Sequence, residues 1–111
     1  MNTQEIASVT DAQFVAETAP GTGFVAVEFS AEWCPPCKIM APILEAAAQE
    51  FAPRVRFLTM DTDANPATMV KLGVRGLPTL LVFRDGEMVD RIVGAVPMNM
   101  LRERITRALH S

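Results

Sequence analysis

Phe24-Val25-Ala26-Val27-Glu28-Phe29 runs straight into Ser30-Ala31-Glu32-Trp33-Cys34-Pro35-Pro36-Cys37-Lys38, and the join between these two stretches decides the fold. The first is apolar on both alternating faces except at Glu28, the pattern of a strand buried on both sides of a sheet. The second carries two cysteines and two prolines into a segment where Met40, Ile43, Leu44, Ala47 and Phe51 recur at helical spacing, which predicts a long amphipathic helix. Pro42 lies inside that helix, removing a backbone donor and predicting a kink near Lys38 and Ile39. A buried strand turning into a helix through a Cys-x-x-Cys loop is the organising element.

Upstream, Thr10 and Gln13 form a capping-box pattern that opens a short helix to about Glu17, and residues 19–23 read as loop. Downstream, Val55 to Met60 is a second strand, and Asn65-Pro66 starts a short helix stopped by Gly73. Thr79 to Phe83 and Glu87 to Val93 are strands joined by Asp85-Gly86, a hairpin signal that makes them antiparallel neighbours. Met98, Leu101, Ile105, Ala108 and Leu109 mark one face of a last helix, with Glu103 and Arg107 an i,i+4 pair. Helices alternating with strands over 111 residues predict an α/β chain with one mixed sheet covered on both faces, folded as a single domain over 1–111.

Composition narrows the function classes. Half the residues are apolar and 21% are charged, as in an ordinary globular chain. The longest uncharged stretches, Thr18 to Val27 and Ile92 to Leu101, are too short to cross a bilayer, so no membrane partner is expected. Ten basic against thirteen acidic residues give a net charge of −3, with basic side chains scattered except at Arg102, Arg104 and Arg107; nucleic acid is not an expected partner. Met1 to Glu5 has no basic start and no apolar run follows it, which predicts a cytoplasmic protein.

Cys34 and Cys37 are the only cysteines. At a helix start, unpaired backbone N–H groups and the positive end of the macrodipole favour an anion, so Cys34 is the expected nucleophile. A cysteine one turn further on can attack a mixed disulfide at Cys34, which makes Cys37 the resolving thiol and the more buried of the two. A structural disulfide would constrain so small a loop little. A zinc site lacks ligands, since the one histidine is His110, and no metal or organic cofactor is implied. Two cysteines serving only as small core residues would not explain the two prolines between them.

Taken together, the residues resemble the thioredoxin family over nearly the whole chain, Ile6 to Leu109, with a Trp-Cys-Pro-Pro-Cys variant of its active site. Val27 to Lys38 and Ala41-Pro42-Ile43-Leu44 match the family's strand, loop and helix. Asp61 to Pro66, Gly73-Val74-Arg75-Gly76-Leu77-Pro78-Thr79-Leu80, Asp85-Gly86 and Val93-Gly94-Ala95 match later landmarks in order. The resemblance implies a thioredoxin fold, a thiol–disulfide oxidoreductase that reduces protein disulfides as a monomer, and re-reduction by a flavin-dependent thioredoxin reductase drawing on NADPH. An oxidase or isomerase of the same fold, or a binding module with idle cysteines, would use the same surface. The resemblance also implies a cis Leu77-Pro78 bond facing the cysteines, although a trans Pro starting a strand satisfies local rules equally. It further implies an apolar rim of Trp33, Gly76, Leu77, Val93, Gly94 and Ala95 on which protein substrates dock.

Five positions depart from the family pattern. Glu28 stands where the family has a buried aspartate that relays a proton for the resolving cysteine, and its apolar neighbours predict a raised pKa. A lysine that many members place near that carboxylate is replaced by Phe57, so no cation offsets desolvation. Pro35 replaces the usual glycine, removing a donor near Cys34, which pushes toward an oxidant, and stiffening the loop, which opposes that. Ser30 replaces a frequent aromatic and Pro97 a frequent capping serine.

Overall fold

The structure is a computed structural model that describes residues 6–110. The Met1 to Glu5 stretch, read above for an export signal, lies outside the described residues. The element order is β1 (Ala7–Ser8), α1 (Asp11–Glu17), β2 (Phe24–Ser30), α2 (Pro35–Phe51), β3 (Val55–Asp61), α3 (Pro66–Lys71), β4 (Thr79–Arg84), β5 (Glu87–Val93) and α4 (Met98–Leu109). The strands form one sheet in the order β1-β3-β2-β4-β5. β1 and β2 both run parallel to β3, while β4 is antiparallel to β2 and to β5. This is a thioredoxin fold, with the mixed sheet the sequence predicts.

β2 is central because it has no polar face to offer water. Its alternate residues feed two cores. Ala26, with Phe57, Leu80, Val82 and Ile92, packs under Met40, Leu44 and Phe51 of α2 and Leu101 and Ile105 of α4. Val25, Val27 and Phe29 turn to the opposite face and pack with Phe14, Leu58, Leu81 and Phe83. Glu28 shares the parity of Ala26, so the pleat points it toward α2.

Local rules account for most boundaries. Thr10 caps α1 through a complete capping box, Gln13 N–H donating to Thr10 Oγ1 at 3.3 Å and Thr10 N–H to Gln13 Oε1 at 3.0 Å. The hairpin turn has φ of 48° at Asp85 and 90° at Gly86, the mirror-image geometry that matches strand twist. A Cβ at Gly86 would lie 2.9 Å from Pro20, so glycine is required there twice over.

The structure differs from expectation at three places. β1 is a two-residue strand that pairs with Leu58 and Thr59 and is too short to leave a periodic signal. Asn65 precedes α3 but its side chain does not cap it. Its Oδ1 accepts from Asp11 N–H at 2.9 Å, while the Asp11 carboxylate accepts from Ala67 N–H at 3.1 Å and Thr68 N–H at 2.8 Å. α3 is thus capped from α1, a contact no local pattern encodes. Finally, Ala52-Pro53 is cis as well as Leu77-Pro78.

Candidate functional site

The topology gathers three segments at one end of the sheet. β2 ends at Ser30 and passes into the loop bearing Trp33 and Cys34. Because β4 runs antiparallel to β2, its first residue Thr79 lies opposite Phe29, and Val93 at the end of β5 lies opposite Thr79. Leu77-Pro78 and Val93-Gly94 therefore arrive beside the cysteines, far apart in sequence though they are.

Cys34 is the N-cap residue of α2, and it is joined to Cys37 by a disulfide with Cα atoms 5.3 Å apart. Both cysteines pack with Ala31, and half-buried Leu77 covers them. The expected order of burial is reversed: Cys34 is 3% exposed and Cys37 is 7% exposed. The cause is positional, since Cys34 is enclosed by the loop and Leu77 whereas Cys37 borders a cleft. The supply of donors is also smaller than expected. Pro35 and Pro36 have no N–H, and the next two, of Cys37 and Lys38, both donate to Cys34 O at 3.1 and 3.3 Å. A thiolate here is favoured by the macrodipole with little direct hydrogen bonding.

The cleft beside Cys37 has a volume of about 710 Å³ and is bordered by Glu28, Ser30, Thr59, Ser8 and Lys38. Glu28 is 6% exposed, and among the described residues no donor reaches its Oε2. Burial alone pushes its carboxyl up to about 7. The in-register partner of Glu28 on β3 is Thr59, while Phe57 pairs with Ala26 one pleat away. The side chain next to the carboxyl on β3 is therefore a hydroxyl. The expectation that Phe57 occupies that place is corrected.

Around the disulfide, Trp33 and Val93 are 65% and 60% exposed. Trp33 is held by Nε1–H donating to Asp63 Oδ2 at 2.8 Å, a partner the sequence analysis did not single out. Gly94 N–H donates to Pro78 O at 2.7 Å, fixing the β5 end against the loop before β4, and Thr79 Oγ1 donates to Gly76 O at 2.6 Å. A side chain at Gly76 would point at Val93, 3.7 Å away. Ala95 is exposed beside them. Trp33, Gly76, Leu77, Pro78, Val93, Gly94 and Ala95 thus lie on the three segments gathered at this end, with Glu28 and Cys37 on the cleft at its side.

Among the described residues no helix is long and apolar enough to cross a membrane. The sequence matches the family described as Thioredoxin over residues 5–107. It is 40% identical over 103 residues to Thioredoxin 1 of Synechococcus elongatus, covering 93% of this chain and 96% of that one. It is 42% identical over 104 residues to Thioredoxin of Bacillus subtilis, covering 94% and 98%, and 36% identical over 102 residues to Thioredoxin of Porphyra purpurea, covering 92% and 95%. Likeness that spans both partners almost end to end cannot come from one shared motif, and the chain belongs to the thioredoxin family.

Proposed function

We propose that Cys34 is the nucleophile, Cys37 the resolving thiol and Glu28 the group that exchanges a proton with Cys37, in a single domain whose Trp-Cys-Pro-Pro-Cys loop is a variant of the family's active site. The protein is a thiol–disulfide oxidoreductase that reduces protein disulfides. The cysteine pair at the mouth of α2 is the observation that carries this reading. Cys34 thiolate attacks a substrate disulfide, forming a mixed disulfide and expelling one substrate thiolate, which takes a proton from solvent. Cys37 gives its proton to Glu28 and attacks Cys34 Sγ; the bond from Cys34 to substrate breaks, and the second thiolate leaves and is protonated. Two substrate thiols and the Cys34–Cys37 disulfide result.

Glu28 suits its part because a carboxyl titrating near neutrality both takes and returns a proton at working pH. Pro78 supplies a backbone without N–H beside the sulfurs, and the rim of Trp33, Gly76, Leu77, Val93, Gly94 and Ala95 offers exposed apolar surface and a close backbone approach at Gly94 to an extended substrate segment. The scarcity of donors at Cys34 favours a reductant: a less stabilised thiolate makes the reduced pair less stable, which lowers the potential. This reverses the sign given from sequence to the loss of a donor at Pro35, one of two opposed contributions whose net effect the sequence left open. The electron donor in this reading is an NADPH-dependent flavoprotein, thioredoxin reductase, and the protein acts as a cytoplasmic monomer. The test is insulin disulfide reduction driven by NADPH and that reductase. Turnover that disappears with either Cys34→Ser or Cys37→Ser is expected; turnover with both cysteines replaced would refute the assignment.

A further inference from the structure

The segment between the end of α3 and the start of β4 carries Gly76, Leu77 and Pro78 to the disulfide, and it begins under a clamp from β5. α3 closes in a Schellman arrangement: Gly73, with φ of 69°, donates its N–H to Val70 O at 3.1 Å, and Val74 N–H donates to Met69 O at 3.0 Å. Those bonds serve carbonyls within the helix and leave the carbonyls of Leu72 and Gly73 to be met from elsewhere. Arg91 meets both, Nη2 donating to Leu72 O at 2.7 Å and Nη1 to Gly73 O at 3.3 Å. Arg91 is half-buried and pairs with Leu81 of β4, on the sheet face where Met69 and Leu72 pack. Its own backbone is held in turn, since its N–H donates to Asp90 Oδ1 at 2.8 Å and its carbonyl accepts from Arg104 Nη2 at 3.1 Å. The far end of the segment is tied to the same strand by the bond from Gly94 N–H to Pro78 O.

We propose that Arg91 is a positioning residue for protein substrates, its guanidinium fixing the start of the 72–78 segment so that Gly76 and Leu77 stand at the right height beside the disulfide. This rests on the reading of the rim as the surface on which a protein substrate docks. β5 holds the segment at both ends, by a side chain at Leu72 and Gly73 and by a backbone N–H at Pro78, and the two rim residues lie between these anchors. The planar fork of a guanidinium suits two successive carbonyls, whereas an ammonium is a single point of charge. Without the fork, two carbonyls lose their partner and the segment keeps its β5 anchor at Pro78 alone, so Gly76 and Leu77 are free to shift. A protein substrate, which must lie along the rim while its disulfide meets Cys34, is sensitive to that shift; a small disulfide needs only the sulfur. A residue that merely stabilised the fold would affect the two substrates alike.

The test is single-turnover oxidation of the reduced protein by insulin and by a small aromatic disulfide, each over a range of concentrations, with the remaining thiols quenched and alkylated. Arg91→Met is expected to lower the rate at low insulin concentration on the order of fivefold while changing the plateau at high concentration, and the reaction with the small disulfide, by no more than about twofold. Arg91→Lys, able to serve one carbonyl, should fall between the two proteins, and Arg91→Gln keeps the test decisive if methionine perturbs folding. If Gly94→Val slows the insulin reaction alone while Arg91→Met and Arg91→Gln leave it unchanged, the rim stands and Arg91 is only a helix cap. If the Arg91 variants slow both substrates equally, the positioning role is likewise refuted. If Gly94→Val slows both substrates equally, the rim has no part in docking, and the role of Arg91 falls with it.

Discussion

Glu28 concentrates the physical conflict in this protein. A carboxyl buried in a central strand, with one oxygen unpartnered, is costly to ionise, and its pKa rises from 4.5 to about 7. The folded state consequently holds a proton that the unfolded chain has released. That stabilisation is complete below the unfolded value and is lost as pH climbs through the folded one, so stability should fall by about 3 kcal/mol between about pH 4 and pH 8. Urea unfolding across that range measures it, and Glu28→Gln should flatten the dependence. The same substitution should slow resolution and remove a rate inflection near pH 7; unchanged turnover between about pH 6 and pH 8 would deny Glu28 its role. That Glu28 is buried is legible from Val25, Val27 and Phe29 alone. That Thr59 faces it is not, because a one-residue choice of register decides which side chains share a face, and the pairing of two strands far apart in sequence carries no local signal.

Among the elements, α2 shows how a helix start sets chemistry through what it lacks. With Pro35 and Pro36 in the first turn, two potential donors to Cys34 are absent. Pro35→Gly returns one N–H and should lower the Cys34 thiol pKa and raise the potential on the order of 20 mV, the equivalent of one hydrogen bond of about 1 kcal/mol. A glutathione redox titration reads this directly, and a fall in potential would contradict the donor argument. At the other end of the chain, α4 is fastened to β5 by Arg104, whose Nε and Nη2 donate to Asp90 Oδ2 and Oδ1 at 2.8 and 2.6 Å. This half-buried, bidentate pair holds the Asp90 carboxyl below its usual range, Arg104 being the main cause. Arg104→Met should cost about 1–2 kcal/mol at neutral pH, and the loss should shrink as acid protonates Asp90. Elements of this kind were readable wherever the signal was local: the capping box at Thr10, the Asp85-Gly86 turn, and the limits of β5 and α4. The capping of α3 by Asp11 and the two-residue β1 were not, since each depends on a neighbour brought in by the tertiary fold.

At the scale of the molecule, the site belongs to no single segment. The Cys34 loop, Leu77-Pro78 and Val93-Gly94 meet because β2, β4 and β5 alternate in direction, and the Gly94 N–H to Pro78 O bond ties two of them together. Gly94 has φ of 89° with open space around its Cβ position, so a side chain there would strain the backbone and stand up into the proposed docking surface. Gly94→Val should slow insulin reduction on the order of tenfold while changing reduction of a small aromatic disulfide by no more than about twofold. Equal slowing would remove the rim from substrate binding. The convergence of these segments was implied by resemblance to the family, whereas residue patterns alone predict the strands but not which ends meet.

Trapping the mixed disulfide addresses the division of labour between the two sulfurs most directly. Reduced Cys37→Ser protein mixed with a disulfide-bonded protein substrate should accumulate one covalent adduct, mapped by mass spectrometry to Cys34, and Cys34→Ser should accumulate none. An adduct on Cys37 in the Cys34→Ser protein, formed as fast as the first, would contradict the account.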